Sequence, residues 1–512
     1  MSSEPSRAPG GGAAEPEGAA GRLAFPRSEL RGRTARGGLL NALFLGGGEG
    51  LALVQGLVVT ALLGPVAIGL YGIVTTTAMT LVQLRRVGID EAFVQQSESD
   101  QEQEFQKAFS LELTLGVLFS LGLCALAPLL AVVYGEERLL GLTLAVAYLP
   151  IAFALQAPQW IFFRRMDFLR LRLLQFSIPA VTFAVTVPVA AVTESVWALV
   201  IGPLVGNTVA VVAAVVASPY RLRLRFDRDA LRRYLAFSWP IFATAAATLV
   251  VLQGQVFAFD LDAGLAAAGY ITLAVTLTRY ADRADQIVAT TIYPAICNIQ
   301  DQPATQEELF QKSARVTMVW TFGFCGLLAV FASDLVEGVL GDEWKPAVLL
   351  IQGLAVAAAL QGVGYGWFSF YRARGEPQPQ AVESAAMVAC FLGLAVPGLI
   401  FFGVEGFVAG RIATSVAMLA VRRFYLRRLF GATELLTLGL RGGAPVALAA
   451  VATLALRDVV DPGTLPELAT FLAVAGTLTW LSDRGLLREL VAYARGRGPL
   501  VAATEPLASG PA

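Results

Sequence analysis

Four charged residues in the middle of a long apolar stretch are the part of this sequence best suited to chemistry. Ala268 to Ile299 is long and hydrophobic enough to cross a bilayer, yet Arg279, Asp282, Arg283 and Asp285 lie at its centre. On a helix, Arg279, Asp282, Arg283 and Gln286 follow the i, i+3, i+4, i+7 rule and share one face, with Asp285 off to the side. Such a stripe is costly against lipid, so it is expected to face a watery cavity or paired helices. Guanidinium groups there suit an anion with geometrically fixed oxygens, which they hold by bidentate hydrogen bonds. The competing reading is a structural ion network of the two arginines with Asp282, Asp285 or Glu49.

The other candidates are fewer and weaker. Glu49 lies in Gly46-Gly47-Gly48-Glu49-Gly50 within the first apolar span, where the glycines allow close approach or a bend. It reads as a fixed counter-ion for Arg279 slightly better than as a carboxylate whose protonation drives opening. Arg85 and Arg86, at the cytoplasmic end of the second span, suit a first contact with an anionic headgroup and equally an ordinary positive-inside anchor. Gln55, Gln253 and Gln255 are placed to hydrogen-bond sugar hydroxyls or neighbouring helices. Glu112, Glu383 and Arg411 are expected to be structurally paired.

Composition limits what these residues can belong to. The 512-residue chain is 56% hydrophobic and 15% charged, with a mean hydropathy of +0.64. That reads as a polytopic, all-α membrane protein. A net charge of -1 gives no reason to propose a nucleic-acid partner. Cys124, Cys297, Cys325 and Cys390 sit in apolar runs without metal or disulfide spacing. Histidine is absent from the sequence, which removes imidazole ligands, so no metal and no cofactor is expected and any proton coupling rests on carboxylates.

The elements that position the charged stripe follow from hydropathy. Residues 1–37 read as a disordered cytoplasmic tail rather than a secretory signal. About 14 spans follow, at roughly 38–60, 67–94, 108–133, 139–162, 173–193, 196–217, 236–259, 266–298, 315–337, 346–370, 381–402, 404–421, 442–457 and 465–481. With the N-terminus inside, about 32 of the 38 Lys and Arg fall on the cytoplasmic side, which requires an even number of spans and favours 14 over 12. Val54-Gln55-Gly56 with Gly69-Leu70-Tyr71 recurs about 200 residues later as Leu252-Gln253-Gly254 with Gly269-Tyr270. The expected organisation is a six-helix lobe at 38–217, a basic linker at 218–235, a second six-helix lobe at 236–421, a basic loop at 422–441, an extra helix pair at 442–481 and a tail at 482–512. The copies are separated by an even number of spans, so they are parallel repeats.

On these residues the chain resembles the polysaccharide-export flippases of the multidrug/oligosaccharidyl-lipid/polysaccharide (MOP) superfamily. The resemblance is carried by Leu62-Leu63-Gly64-Pro65 with Gly69-Leu70-Tyr71-Gly72, Arg86-Val87-Gly88-Ile89, Arg165-Met166-Asp167-Phe168, Ile292-Tyr293-Pro294-Ala295 and above all Gly341-Asp342-Glu343-Trp344-Lys345-Pro346-Ala347. It implies a non-enzymatic flippase that turns undecaprenyl-pyrophosphate-linked repeat units across a bacterial plasma membrane by alternating access. Both termini would be cytoplasmic, and partners would be membrane lipids and a polysaccharide polymerase or chain-length regulator. It also implies a side groove for the isoprenoid tail at the extra helix pair. Trp344 and Lys345 are expected at the outer interface, as helix anchors. A cation-coupled drug or metabolite antiporter of the same superfamily is the alternative, favouring carboxylates and aromatic surfaces over arginines. A membrane glycan polymerase or ligase is less favoured, because no long outer loop is available to house its reaction.

Overall fold

The structure, a computed structural model, describes residues 27–85, 89, 93, 100–165, 167–226, 251, 253–261, 264–299, 302–376, 378–431, 435–460 and 462–494. All of its regular structure among these residues is helical. In chain order the helices are α1 (Arg27–Arg85), α2 (Gln101–Val133), α3 (Arg138–Val146), α4 (Leu149–Leu155), α5 (Gln159–Arg164), α6 (Phe168–Thr193) and α7 (Ala198–Ala217). They continue as α8 (253–261), α9 (264–278), α10 (Arg283–Asn298), α11 (Pro303–Leu335), α12 (Val348–Gln361) and α13 (Trp367–Ala373). The last four are α14 (Gln378–Cys390), α15 (Val396–Phe430), α16 (Leu435–Val460) and α17 (Thr464–Ala494).

Ten stretches are long and apolar enough to cross a membrane among the described residues. Two of these, Phe44–Met79 and Gln378–Phe430, are each divided by a glycine in a non-helical conformation, Gly64 and Gly403. With α8 and the α9/α10 segment, each of the fourteen expected positions carries helix, the seventh only in its last part. Side chains on the outside of this helical body are large and apolar, as in Leu118, Leu121 and Val132 of α2, which is how a surface facing acyl chains is built.

Glycine and proline explain where the rods break. Gly64 sits at φ 71°, a conformation open to glycine, and Pro65 disfavours a helical residue before it, so α1 becomes two arms. The span expected at 139–162 falls within one membrane-length stretch, Arg138–Arg164, built from α3, α4 and α5, with Pro150 near the start of α4 and Pro158 capping α5. The Gly46–Gly48 run does not bend α1; it lets that helix close on Phe176 and Pro179 of α6.

The segment Gly341–Ala347 packs inside the molecule. Trp344 is fully buried edge-on to Tyr270, with ring centroids 5.9 Å apart, and Glu343 lies against Gly64. Trp344 is therefore a core residue joining the α1 bend to α9, and the expected interfacial anchor is corrected. Lys345 is exposed and pairs with Asp342 at 3.0 Å. The basic loop after α7 is strapped to α2: Arg221 N donates to Glu102 Oε1 (3.1 Å), Gln106 Nε2 to the Arg221 carbonyl (3.1 Å) and Arg225 N to Ser110 Oγ (2.6 Å). The side chains of Arg221, Arg223 and Arg225 stay exposed.

Two positions related by the 200-residue offset meet face to face. A Cβ on Gly69 would overlap the Leu265 carbonyl, and one on Gly269 would overlap the Pro65 carbonyl; one turn on, Gly72 is covered by Thr272. The second arm of α1 and α9 thus cross backbone to backbone at their glycines.

Candidate functional site

The charged stripe is not continuous α-helix. After α9 the chain tightens into a single 3-10 turn, Arg279–Asp282, before α10 begins at Arg283. That change of winding leaves carbonyls without an intrahelical partner, and α11 supplies donors: Trp320 Nε1 to the Tyr280 carbonyl (3.0 Å) and Thr321 Oγ1 to the Ala281 carbonyl (3.0 Å). It also rotates the charges relative to one another, so the single expected face becomes two.

One face looks toward α1. Arg283 Nε pairs with Glu49 Oε2 at 3.1 Å, its Nη1 donates to Gln286 Oε1 at 2.9 Å, and its guanidinium lies 6.0 Å from the centroid of the Tyr280 ring. Arg283 and Glu49 are each about one-third exposed (34%), so the pair is wet rather than sealed. Arg279 is exposed and makes no ion pair or hydrogen bond among the described residues. The expected Glu49–Arg279 pair is therefore corrected: Glu49 serves Arg283 and leaves Arg279 free.

The other face looks into the helices of the second half. Asp282 Oδ1 accepts from Tyr365 Oη at 2.7 Å and does not share the face of Arg283 and Gln286. Tyr365 in turn lies under the Arg422 guanidinium, 5.1 Å from its ring centroid. Arg422 is 6% exposed; its Nε donates to Glu383 Oε1 at 2.6 Å, and its Nη1 to the Gln361 and Val363 carbonyls released where α12 ends. Asp285 is also buried, close to Gly366. Sequence reasoning placed Arg422 in a cytoplasmic loop with Arg423, and a doubly basic run gives no signal that one member is buried.

The remaining candidates are dispersed. Gln253 Nε2 donates to Thr77 Oγ1 at 2.9 Å, tying α8 to α1, while its Oε1 is unpartnered. Gln255 is 1% exposed with Oε1 likewise unpartnered, and Gln55 is half-buried. Arg86 lies outside the described residues, and of Arg85 only the helical backbone is described. Glu383 is paired as expected; Arg411 has no ion pair among the described residues, and its Nε and Nη1 are buried without a partner there. No group of acidic, cysteine or histidine residues suited to a metal occurs among the described residues.

A second feature lies at the helix pair. A cavity of about 900 Å³ opens between α11, α12, α15 and α16, lined by apolar side chains including Phe322, Val356, Leu419, Leu440 and Ala447. Arg423 is the one charged residue in that lining. The pair is fastened to α11 at both ends, through Arg457 with Asp334 (2.7 Å) and Glu467 (2.8 Å), and through Lys312 with Glu489 (2.7 Å).

The described residues form a many-helix membrane body with a partly exposed ion pair in one of its helical segments, and solved structures share this fold. The chain is similar to the lipid II flippase MurJ in its inward closed conformation (TM-score 0.69, 10% identity, covering 88% of this chain and 100% of that one). It is similar also to the inward-facing conformation of a multidrug resistance MATE family transporter of the MOP superfamily (TM-score 0.62, 12% identity, 75% and 96%). A third likeness is to a MOP superfamily transporter from Pyrococcus furiosus Vc1 (TM-score 0.57, 13% identity, 78% and 97%). No curated protein matches the sequence. The sequence profile of the family described as "Polysaccharide biosynthesis protein" matches residues 58–349, more than half of the chain, and the chain belongs to that family.

Proposed function

We propose that this protein is a flippase for undecaprenyl-pyrophosphate-linked oligosaccharides in a bacterial plasma membrane, working by alternating access between two six-helix lobes. The observation that carries the reading is the state of the two arginines in the charged stripe. Arg279 is unpaired, and Arg283 is held by a carboxylate that water already reaches. A pyrophosphate entering there meets one free guanidinium and a second that exchanges Glu49 for a doubly charged partner, with bidentate geometry available at each. Arg85 and Arg86 would make the first contact from the cytoplasm, and Gln55, Gln253 and Gln255 would face sugar hydroxyls. The apolar groove beside α16 would carry the isoprenoid tail, with Arg423 at headgroup level. The extra helices would thus keep the tail in hydrocarbon while the headgroup crosses.

The antiporter alternative calls for a cavity poised for cations, whereas the acids of this site, half-buried Asp282 and buried Asp285, lie toward Tyr365 and Gly366 between α12 and α13. The test is complementation of an export-deficient bacterium by wild type and by the Arg279→Ala/Arg283→Ala double variant, with membrane levels matched. Wild type should restore surface glycan, and the double variant should leave lipid-linked repeat units inside. Normal export by the double variant would remove the arginines from the site. Failure of wild type across several glycans, with drug efflux intact, would move the antiporter to the front.

A further inference from the structure

Arg411 is the outlier among the intramembrane arginines. Arg283 and Arg422 have carboxylate partners, and Arg279 reaches solvent. Arg411 lies in α15, eight residues beyond the Gly403 break; the residue is half-buried, and its Nε and Nη1 are closed to solvent with no partner among the described residues. Two guanidinium donors closed off in that way are disfavoured unless an acceptor accompanies them.

Its surroundings hold a complementary orphan. Phe407 of α15 and Phe259 of α8 meet edge to face with centroids 4.8 Å apart. Arg411 is one turn from Phe407, and Gln255 one turn from Phe259, each on the contacting side of its helix. Both helices also rest on the same π-helical turn, Phe391–Ala395: Gly254 against the Phe391 ring, Gly410 against Leu394 and Ala395. Gln255 is 1% exposed and its Oε1 has no partner, so its amide can turn to present the Nε2 donors. Thus two side chains with buried, unused hydrogen-bonding atoms sit next in sequence to the glycines that touch one π-turn, a feature that concentrates at functional sites.

The described carboxylates of these elements are otherwise placed. Glu383 is committed to Arg422, eleven residues further along α15 and hence about 16 Å away. Glu405 is exposed. Asp260, off the Phe259 face, neighbours Tyr134 of the first half.

We propose that Arg411 and Gln255 form an anion site inside the second half of the molecule, taking a small monovalent inorganic anion of the halide class. The site is separate from the Arg279/Arg283 cluster and goes beyond the flippase reading. The apolar rings beside it, Phe259 against Phe407 and Phe391 against Gly254, would strip the hydration shell of whatever enters. That selects a weakly hydrated monovalent ion over sulfate or phosphate.

The test uses the full-length protein in detergent. Its thermal unfolding midpoint is followed as sodium bromide replaces sodium gluconate at constant ionic strength, with sodium sulfate as a second comparison. Wild type should show a saturable upward shift in bromide alone, because a ligand of the folded state stabilises it by mass action. R411Q should need at least about tenfold more bromide for the same shift, having lost a charge-assisted contact. The R279A/R283A double variant should respond as wild type does. An R411Q response equal to wild type, a wild type indifferent to bromide, or loss of the response in R279A/R283A overturns the site. If R411Q does not fold, Gln255→Leu is measured in its place: a weakened bromide response supports the site, and an unchanged one overturns it.

Discussion

Two ion pairs of this molecule, Glu49–Arg283 and Glu383–Arg422, have similar chemistry and opposite settings, and the setting decides what each can do. Both members of the first are 34% exposed, so water screens the attraction and the pair is worth less than about 1 kcal/mol. Glu49→Gln should therefore leave the unfolding midpoint close to wild type while freeing Arg283. In titrations of purified protein with a pyrophosphate-bearing prenyl lipid, that variant should bind more tightly; unchanged affinity would show that Glu49 does not compete with the headgroup. The second pair is 7% and 15% exposed and is wrapped by two carbonyls and the Tyr365 ring. Glu383→Gln strands a buried guanidinium and should cost about 3–5 kcal/mol, read as a large drop in the unfolding midpoint. The apolar pair Glu383→Leu/Arg422→Met should recover most of that loss. Equal damage by the single and double changes would mean that Arg422 is held by the carbonyls and Tyr365 alone.

At the scale of helices, glycine placement governs which segments can touch. The sequence makes the glycines visible but not their use: Gly46–Gly48 serve close packing on α6, whereas Gly64 and Gly403 break their helices, and only the neighbouring Pro65 marks one of them in advance. The charged stripe was legible as an intramembrane cluster because charge in an apolar run is conspicuous. Its division into two faces was not, because the 3-10 turn depends on donors from Trp320 and Thr321, some forty residues away. The Gly69–Gly269 crossing is where this scale matters most for movement. Under the proposed alternating access the second arm of α1 and α9 would part on one side and close again, and the closed crossing has no room for a Cβ at either glycine. Gly69→Val should hold the crossing open. In a cysteine-free background, a reporter cysteine in place of the fully buried Leu70 should then react several-fold faster with an impermeant maleimide, and export should fail. A reporter protected equally with and without the valine would show that the arms yield elsewhere.

The whole molecule combines a part legible from composition with a part that only packing creates. Apolar spans, both basic borders and the 200-residue repeat are written in residue types, so the helical membrane architecture follows from them. The groove beside α16 is not, because its walls are ordinary Leu, Val, Ala and Gly drawn from four helices, and no residue type announces it. Trp344 misleads for the same reason, since tryptophan is equally at home at an interface and in a core, and only its contact with Tyr270 places it. What the groove does is therefore a question for length rather than charge. About 900 Å³ of apolar space accommodates a long section of prenyl chain, and burial of each further CH₂ contributes about 0.8 kcal/mol, so affinity should climb with tail length until the groove is filled. Ala447→Trp places a large ring in the lining at a position already exposed, where the helix tolerates it. Binding of pyrophosphate-linked prenyl lipids of two chain lengths should then converge: the long-tailed lipid loses affinity by an order of magnitude or more, the short-tailed one keeps its own, and the unfolding midpoint stays put. A variant that preserves the preference for the long tail would place the tail outside this groove, without touching the proposal that the arginine cluster takes the headgroup.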